Sequence, residues 1–205
     1  MAFVVGPRQV GKTTTCKNAF KNSVYINWDN MSDRVRITNG PQAVADNMGL
    51  AEIRTGKLPI LFDEIHKYSK WKDFLKGFFD VYADKTLITV TGSAKLDAYK
   101  RGGDSLMGRY FFYRMHPLSV AELVNTQFTE KEIRAPQKIT KKEFDTLFQF
   151  GGFPEPYLKA NTRFSNRWKR LREDQLIKED IRNLTKISES DHVQILAKLI
   201  TASAG

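Results

Sequence analysis

The chain has 205 residues, a formal net charge of +10 and 41% apolar residues. That length fits one α/β core with a small appendage, and no apolar run approaches the roughly 20 residues that a membrane-spanning helix needs. Residues 1–6 lack the charged region and the length of a signal peptide, so a cytoplasmic location without membrane contact is expected. The single cysteine, Cys16, excludes an internal disulfide and reads as a small buried side chain.

Phe3-Val4-Val5 is a short apolar run that ends in a glycine-rich loop, the pattern of a first parallel strand. Residues 12–20 fit the helix that follows. Val24-Tyr25-Ile26-Asn27-Trp28 reads as a second strand. Residues 42–55 predict a helix, with Ala43, Val44, Ala45, Met48, Ala51 and Ile53 as its apolar set and Gly56 and Pro59 at its exit. Ile60-Leu61-Phe62 predicts a strand that stops at Asp63-Glu64. Trp71, Phe74, Leu75, Phe78, Phe79 and Tyr82 recur at helical spacing over 70–83. Leu87-Ile88-Thr89-Val90 and Tyr110-Phe111-Phe112-Tyr113 complete the strands. Alternation of strand and helix predicts an α/β fold, an open and mostly parallel sheet covered by helices on both faces.

The pattern changes after Pro117. Residues 119–125 suggest a short helix, 126–140 a polar linker, and 141–205 a helical extension that resumes over 166–184 and 189–202. Gly151-Gly152-Phe153-Pro154-Glu155-Pro156 breaks that extension with a turn. The organisation expected is a core over 1–125, a linker over 126–140 and an extension over 141–205.

Gly6-Pro7-Arg8-Gln9-Val10-Gly11-Lys12-Thr13 matches the P-loop pattern G-x-x-x-x-G-K-[ST] between a predicted strand and a predicted helix. The glycines let the backbone curl around phosphate oxygens, and the loop N–H groups with the helix N-terminus face negative charge. Lys12 should reach the β- and γ-phosphates, Thr13 should ligate Mg²⁺, and Thr14 should lie beside the α-phosphate. Arg8 reads as a phosphate or subunit contact or as a solvent-exposed side chain, and stays outside the catalytic set.

Leu58-Pro59-Ile60-Leu61-Phe62-Asp63-Glu64 has the form of a Walker B segment. An apolar strand delivers Asp63 to hold Mg²⁺ through its water shell, and Glu64 to orient and polarise an attacking water. His66 reads as a capping or surface residue, or as a γ-phosphate sensor. At the end of the next strand Ser93 is the first choice for a sensor of the γ-phosphate and Thr91 the second, with helix capping as the competing role for either. Arg109 reads as a charge-stabilising arginine acting in cis or from a neighbouring subunit, or as a salt bridge at the sheet edge. Three scattered histidines and one cysteine do not form a zinc site.

These segments together resemble the AAA-like P-loop ATPases of archaea and bacteria that carry a poorly defined C-terminal domain. The resemblance rests on the P-loop through Thr14, on Ile26-Asn27-Trp28-Asp29, on Leu61-Phe62-Asp63-Glu64-Ile65-His66-Lys67 and on Thr91-Gly92-Ser93. It continues through Gly108-Arg109-Tyr110, Pro117-Leu118-Ser119-Val120-Ala121-Glu122-Leu123, Gly151-Gly152-Phe153-Pro154-Glu155 and Asp180-Ile181. It implies ATP as the nucleotide, a nucleotide-linked role for Arg109 and a winged-helix-like C-terminal region. Against such relatives the chain looks short at both ends, with five residues before Gly6 and the helical region interrupted at Gly205.

Three functions compete. The first is Mg²⁺-dependent ATP hydrolysis coupled to movement of the C-terminal helices. The second is a nucleotide-dependent switch or binding module acting on an unidentified protein partner or a second copy. The third is a DNA-associated ATPase whose basic stretch, residues 163–172, touches phosphates, with Trp168 and Phe164 either stacking on bases or packing in a core. The chain contains no Asn-Lys-x-Asp stretch that would read guanine.

Overall fold

A computed structural model describes residues 1–52, 56–92, 106–125, 127, 133, 135–176, 196 and 200. The chain divides into two compact units, Met1–Pro117 and Leu118–Gly205.

The first unit is a five-stranded parallel sheet with helices on both faces. Strands β1 (Ala2–Val5), β2 (Val24–Asn27), β3 (Leu58–Asp63), β4 (Thr86–Gly92) and β5 (Phe111–Arg114) lie in the order β2-β3-β4-β1-β5. The fold class read from the sequence is therefore the one observed. Strand β4 is inserted between β1 and β3, with Ala2 opposite Thr89 and Asp63 opposite Thr91. Pro59 is tolerated in β3 because β2 begins to pair only at Ile60.

The two faces of the sheet differ in chemistry, because successive side chains point to opposite sides. One face carries Phe3, Val5, Ile26, Ile60, Phe62, Ile88 and Val90 into the main core. It is covered by α2 (Met31–Thr38), α3 (Pro41–Asn47) and α4 (Trp71–Tyr82), which contribute Ile37, Val44, Ala45, Trp71, Phe74, Leu75, Phe78 and Tyr82. The other face carries Tyr25, Asp63, Thr89 and Thr91, and α1 (Lys12–Ala19) crosses it over β3 and β4. Burying apolar area on the first face supplies the driving force, which leaves the second face for polar groups.

Two local expectations change. The helix expected over 42–55 is α3, which ends at Asn47 because Gly49 turns left-handed (φ 62°) and Leu50 N–H closes back on the Ala45 carbonyl. Residues 53–55, including Ile53, lie outside the described residues. Helix α2 was not expected. Its Val35 and Met31 are exposed and only Ile37 is buried, so its apolar period is weak. Its signal is the cap: Asn30 Oδ1 accepts from the N–H groups of Ser32 and Asp33.

The second unit is helical over its described residues: α5 (Val120–Val124), α6 (Lys141–Phe150), α7 (Pro154–Lys159) and α8 (Thr162–Gln175). Ser119 with Glu122 and Thr140 with Glu143 form capping boxes at α5 and α6. The expected turn at Gly151-Gly152 is present. An added Cβ at Gly152 would lie 2.3 Å from the Leu118 carbonyl oxygen, and Leu118 N–H donates to Gly152 O at 2.7 Å. Helix α8 starts at Thr162 under an Asn161 cap rather than at 166. Residues 126, 128–132 and 134 of the expected linker, the remainder of 166–184 and nearly all of 189–202 fall outside the described residues, as does Asp180-Ile181.

Phe78 is fully buried, with the rings of Phe62, Phe74 and Tyr82 centred 5.5, 6.1 and 5.0 Å away. Phe78→Ala should cost about 3–5 kcal/mol, read as a lower urea midpoint at unchanged slope.

Candidate functional site

The P-loop leaves β1 at Val5 and returns as α1 at Lys12, so it spans residues 6–11 at the edge of the sheet where the strands end. Three residues hold left-handed or related backbone: Gly6 (φ 155°), Gln9 (φ 64°) and Gly11 (φ 96°). Gly6 has a second reason to be glycine. The chain leaving β5 runs against it, Met115 N–H donates to Val5 O at 2.8 Å, and an added Cβ would sit 2.1 Å from the Met115 carbonyl oxygen. Lys12 is buried, and its ammonium donates to the carbonyls of Gly6 (3.1 Å) and Pro7 (2.7 Å), across the mouth of the loop.

Asp63 is the centre of the polar face. It is 8% exposed, and hydroxyls from three elements donate to it. Thr13 Oγ1 (α1) and Tyr25 Oη (β2) reach Oδ2 at 3.0 and 2.8 Å, and Thr91 Oγ1 (β4) reaches Oδ1. A carboxylate removed from water requires such donors. Burial first, then the hydrogen bond and charge of Asp63, push the Tyr25 hydroxyl well above its ordinary range, so it stays protonated as a donor. The Lys17 ammonium sits 3.3 Å from the Tyr25 ring centroid. Cys16, buried on the same helix, also has its thiol pushed up, by burial and then by Asp63, against an opposing pull from Lys12.

Glu64 follows in a left-handed conformation (φ 56°), a strain of about 1–3 kcal/mol for a non-glycine residue that its N–H helps to hold by bonding Thr91 O at 3.1 Å. It caps the 3₁₀ turn Ile65–Lys67. The expectation of a surface position for His66 is corrected: its side chain is buried, with Nε2 3.7 Å from Glu64 Oε2. The cause is the turn, which folds residue 66 inward while Lys67 stays at the surface.

A cleft of about 380 Å³ joins these elements, lined by Arg8, Gln9, Gly11, Lys12, Thr13, Thr14, Asp29, Glu64 and Lys67. The structure therefore brings together the P-loop residues, Thr13, Asp63 and Glu64 as the sequence suggested. It adds Tyr25, Asp29 and Lys67, to which no role was assigned. Tyr25 carried no signal beyond its place in a strand, and Asp29 and Lys67 stood out only as members of longer segments. Thr91, the second choice for the polar strand end, contacts Asp63. Ser93, the first choice, lies outside the described residues.

Arg109 is not brought to the cleft. It precedes β5, and the Met1 ammonium donates to its carbonyl at 2.7 Å, so it stands at the edge where the strands begin. Four residues of β1, about 13 Å of strand, separate that edge from the P-loop. Its guanidinium instead clasps Asp80 through Nε (2.7 Å) and Nη2 (3.2 Å). Those hydrogen bonds hold the Asp80 carboxyl below its usual range and Arg109 above its own. The sheet-edge salt bridge is thus the arrangement observed.

In the second unit, Trp168 is buried with its ring centroid 5.0 Å from that of Phe153, and Lys159 Nζ lies 3.7 Å from the Phe164 ring centroid. Trp168 is a core contact there, not an exposed platform for bases. Arg163, Arg167, Lys169 and Arg170 are exposed on α8.

Gly6→Ala should destabilise the first unit by about 1–3 kcal/mol through overpacking. Urea unfolding checks this, and a variant as stable as the parent would contradict the close approach at Met115.

Residues 1–124 match a protein-family model described as an AAA domain. No curated protein matches the chain significantly. Among the described residues no helix is long and apolar enough to cross a membrane. A nucleotide-binding loop on a five-stranded parallel sheet, within a segment matching that model over more than half the sequence, places the chain in the AAA family of P-loop NTPases.

Proposed function

We propose that the chain binds ATP together with Mg²⁺ and hydrolyses it to ADP and phosphate. The observation that carries this reading is the 3.0 Å hydrogen bond between Thr13 and Asp63, directly beneath the P-loop. A hydroxyl has one proton and two lone pairs. Thr13 spends its proton on Asp63, which leaves its lone pairs to a cation.

The donor set fits Mg²⁺. Both groups are hard oxygen ligands on rigid elements. Among the described residues no group of three or more His, Cys, Asp or Glu could hold a metal. Mg²⁺ tolerates that poverty, because it keeps waters and takes phosphate oxygens in place of a protein cage. Thr13 would hold it directly and Asp63 through its water shell, with Tyr25 and Thr91 fixing the Asp63 carboxylate. When bound, the ion neutralises charge on the β- and γ-phosphates.

The remaining roles follow from the cleft. The Lys12 ammonium, now on two neutral carbonyls, would exchange them for charged phosphate oxygens, the stronger acceptors. The loop N–H groups and the start of α1 would face the phosphates. Glu64, which also lines the cleft, would accept a proton from water as the water attacks the γ-phosphorus and the bond to the β-phosphate oxygen breaks. The family and the lack of a guanine-reading Asn-Lys-x-Asp stretch support ATP over GTP.

Phosphate release from Mg-ATP, with binding followed in parallel, tests the proposal. Lys12→Ala should lose binding and turnover together. Glu64→Gln should keep binding while its turnover falls by about 10²–10⁴-fold. A parent that binds ATP and never releases phosphate would replace the hydrolytic reading with a nucleotide-dependent switch.

A further inference from the structure

Lys67 stands between two carboxylates. Its ammonium lies 2.6 Å from Asp29 Oδ2 and 3.3 Å from Glu64 Oε2. The contact with Glu64 follows from the local backbone. Glu64 caps the 3₁₀ turn Ile65–Lys67, and side chains three residues apart eclipse in such a turn. The contact with Asp29 comes from a neighbouring strand. Asn27 is in register with Asp63, and Trp28 N–H donates to Asp63 O at 3.0 Å. The chain leaving β2 is thereby held alongside the turn, and Asp29 lines the same cleft as Glu64.

The distances say how the ammonium is shared. A lysine ammonium is a compact point charge with three donors, and here its shorter contact goes to Asp29. Lys67 and His66 Nε2 (3.7 Å) both approach Glu64 at Oε2. Among the described residues nothing donates to Glu64 Oε1. One oxygen is anchored and the other is left to the cleft. An ammonium serving Glu64 alone would neutralise it and draw it away from water. Two carboxylates sharing one ammonium keep a net negative charge beside the cleft.

We propose that Lys67 and Asp29 are positioning residues for Glu64: Lys67 anchors Glu64 by Oε2, and Asp29 holds the Lys67 ammonium back so that Oε1 stays available to the attacking water. This rests on the hydrolytic reading of Glu64 above. Neither residue touches the reacting atoms. Their effect belongs in kcat rather than in nucleotide affinity, and the two effects depend on each other.

A double-mutant cycle tests this. Asp29→Asn keeps the shape and removes the charge, so Lys67 should collapse onto Glu64 and lower kcat by about 10–100-fold, the scale of a misplaced catalytic group. The Kd for Mg²⁺ with a non-hydrolysable ATP analogue should stay within about twofold of the parent on that account. Lys67→Met should lower kcat less, and in its background Asp29→Asn should change kcat by less than about threefold, because the ammonium it would release is gone. Lys67→Arg, which can bridge both carboxylates, should retain more turnover than Lys67→Met. Asp29 and Lys67 are substantially exposed, at 49% and 36%, so the variants should unfold at the parent temperature. Equal losses from Asp29→Asn in both backgrounds would overturn the proposal, as would no loss in either. So would a tenfold weaker Kd in Lys67→Met at unchanged kcat, which would make Lys67 a phosphate contact. Full turnover in Glu64→Gln would instead sink the reading of Glu64 as the base.

Discussion

One buried carboxylate organises this unit. Asp63 ends strand β3, and it accepts hydroxyls from α1, β2 and β4 at once. Each hydroxyl is neutral and small, so the site keeps its negative charge while losing most of its contact with water. Replacing these donors by lysine or arginine would have satisfied the carboxylate equally well and cancelled the charge that a cation needs. On the proposed reading, the choice of Thr13, Tyr25 and Thr91 serves a cation as well as burial.

The sheet order makes that constellation reachable. Placing β4 between β1 and β3 sets Thr91 directly opposite Asp63, and it makes α1 cross the face on which both lie. Thr13, in the first turn of α1, then meets Asp63 although 50 residues separate them. The opposite face is mainly apolar, with Phe62 packed edge-on against Phe74 and Phe78. Period-2 alternation in a single strand thus serves both purposes: Phe62 points into the core and Asp63, the next residue, into the site.

Much of this was legible in the sequence, and the reasons differ by residue. The P-loop could be read because phosphate binding by backbone requires glycine and lysine at fixed spacing. The Asp63-Glu64 pair could be read because an apolar run ended on it. Tyr25 could not, since a tyrosine in a strand is ordinary and its hydroxyl finds Asp63 only through the register of β2 on β3. Asp29 and Lys67 are 38 residues apart and meet for the same reason. Arg109 is the opposite case, in which position speaks against a role in its own cleft and leaves the role on a neighbour's nucleotide untouched. Its place in a glycine-arginine-tyrosine segment drew attention to chemistry, whereas its position before a parallel strand puts it at the edge away from the P-loop. Helix α2 was hidden by its exposed Met31 and Val35, and only the Asn30 cap betrays it.

The central claim is that Thr13 and Asp63 form a cation site that works together with the nucleotide. Titrating ATP with and without Mg²⁺, on the parent and on Asp63→Asn, tests it most directly. The account predicts that Mg²⁺ strengthens ATP binding by the parent and that this gain largely disappears in Asp63→Asn, while metal-free binding changes little. An equal gain from Mg²⁺ in both proteins would mean that Asp63 has no part in holding the ion, and would contradict the account at its centre.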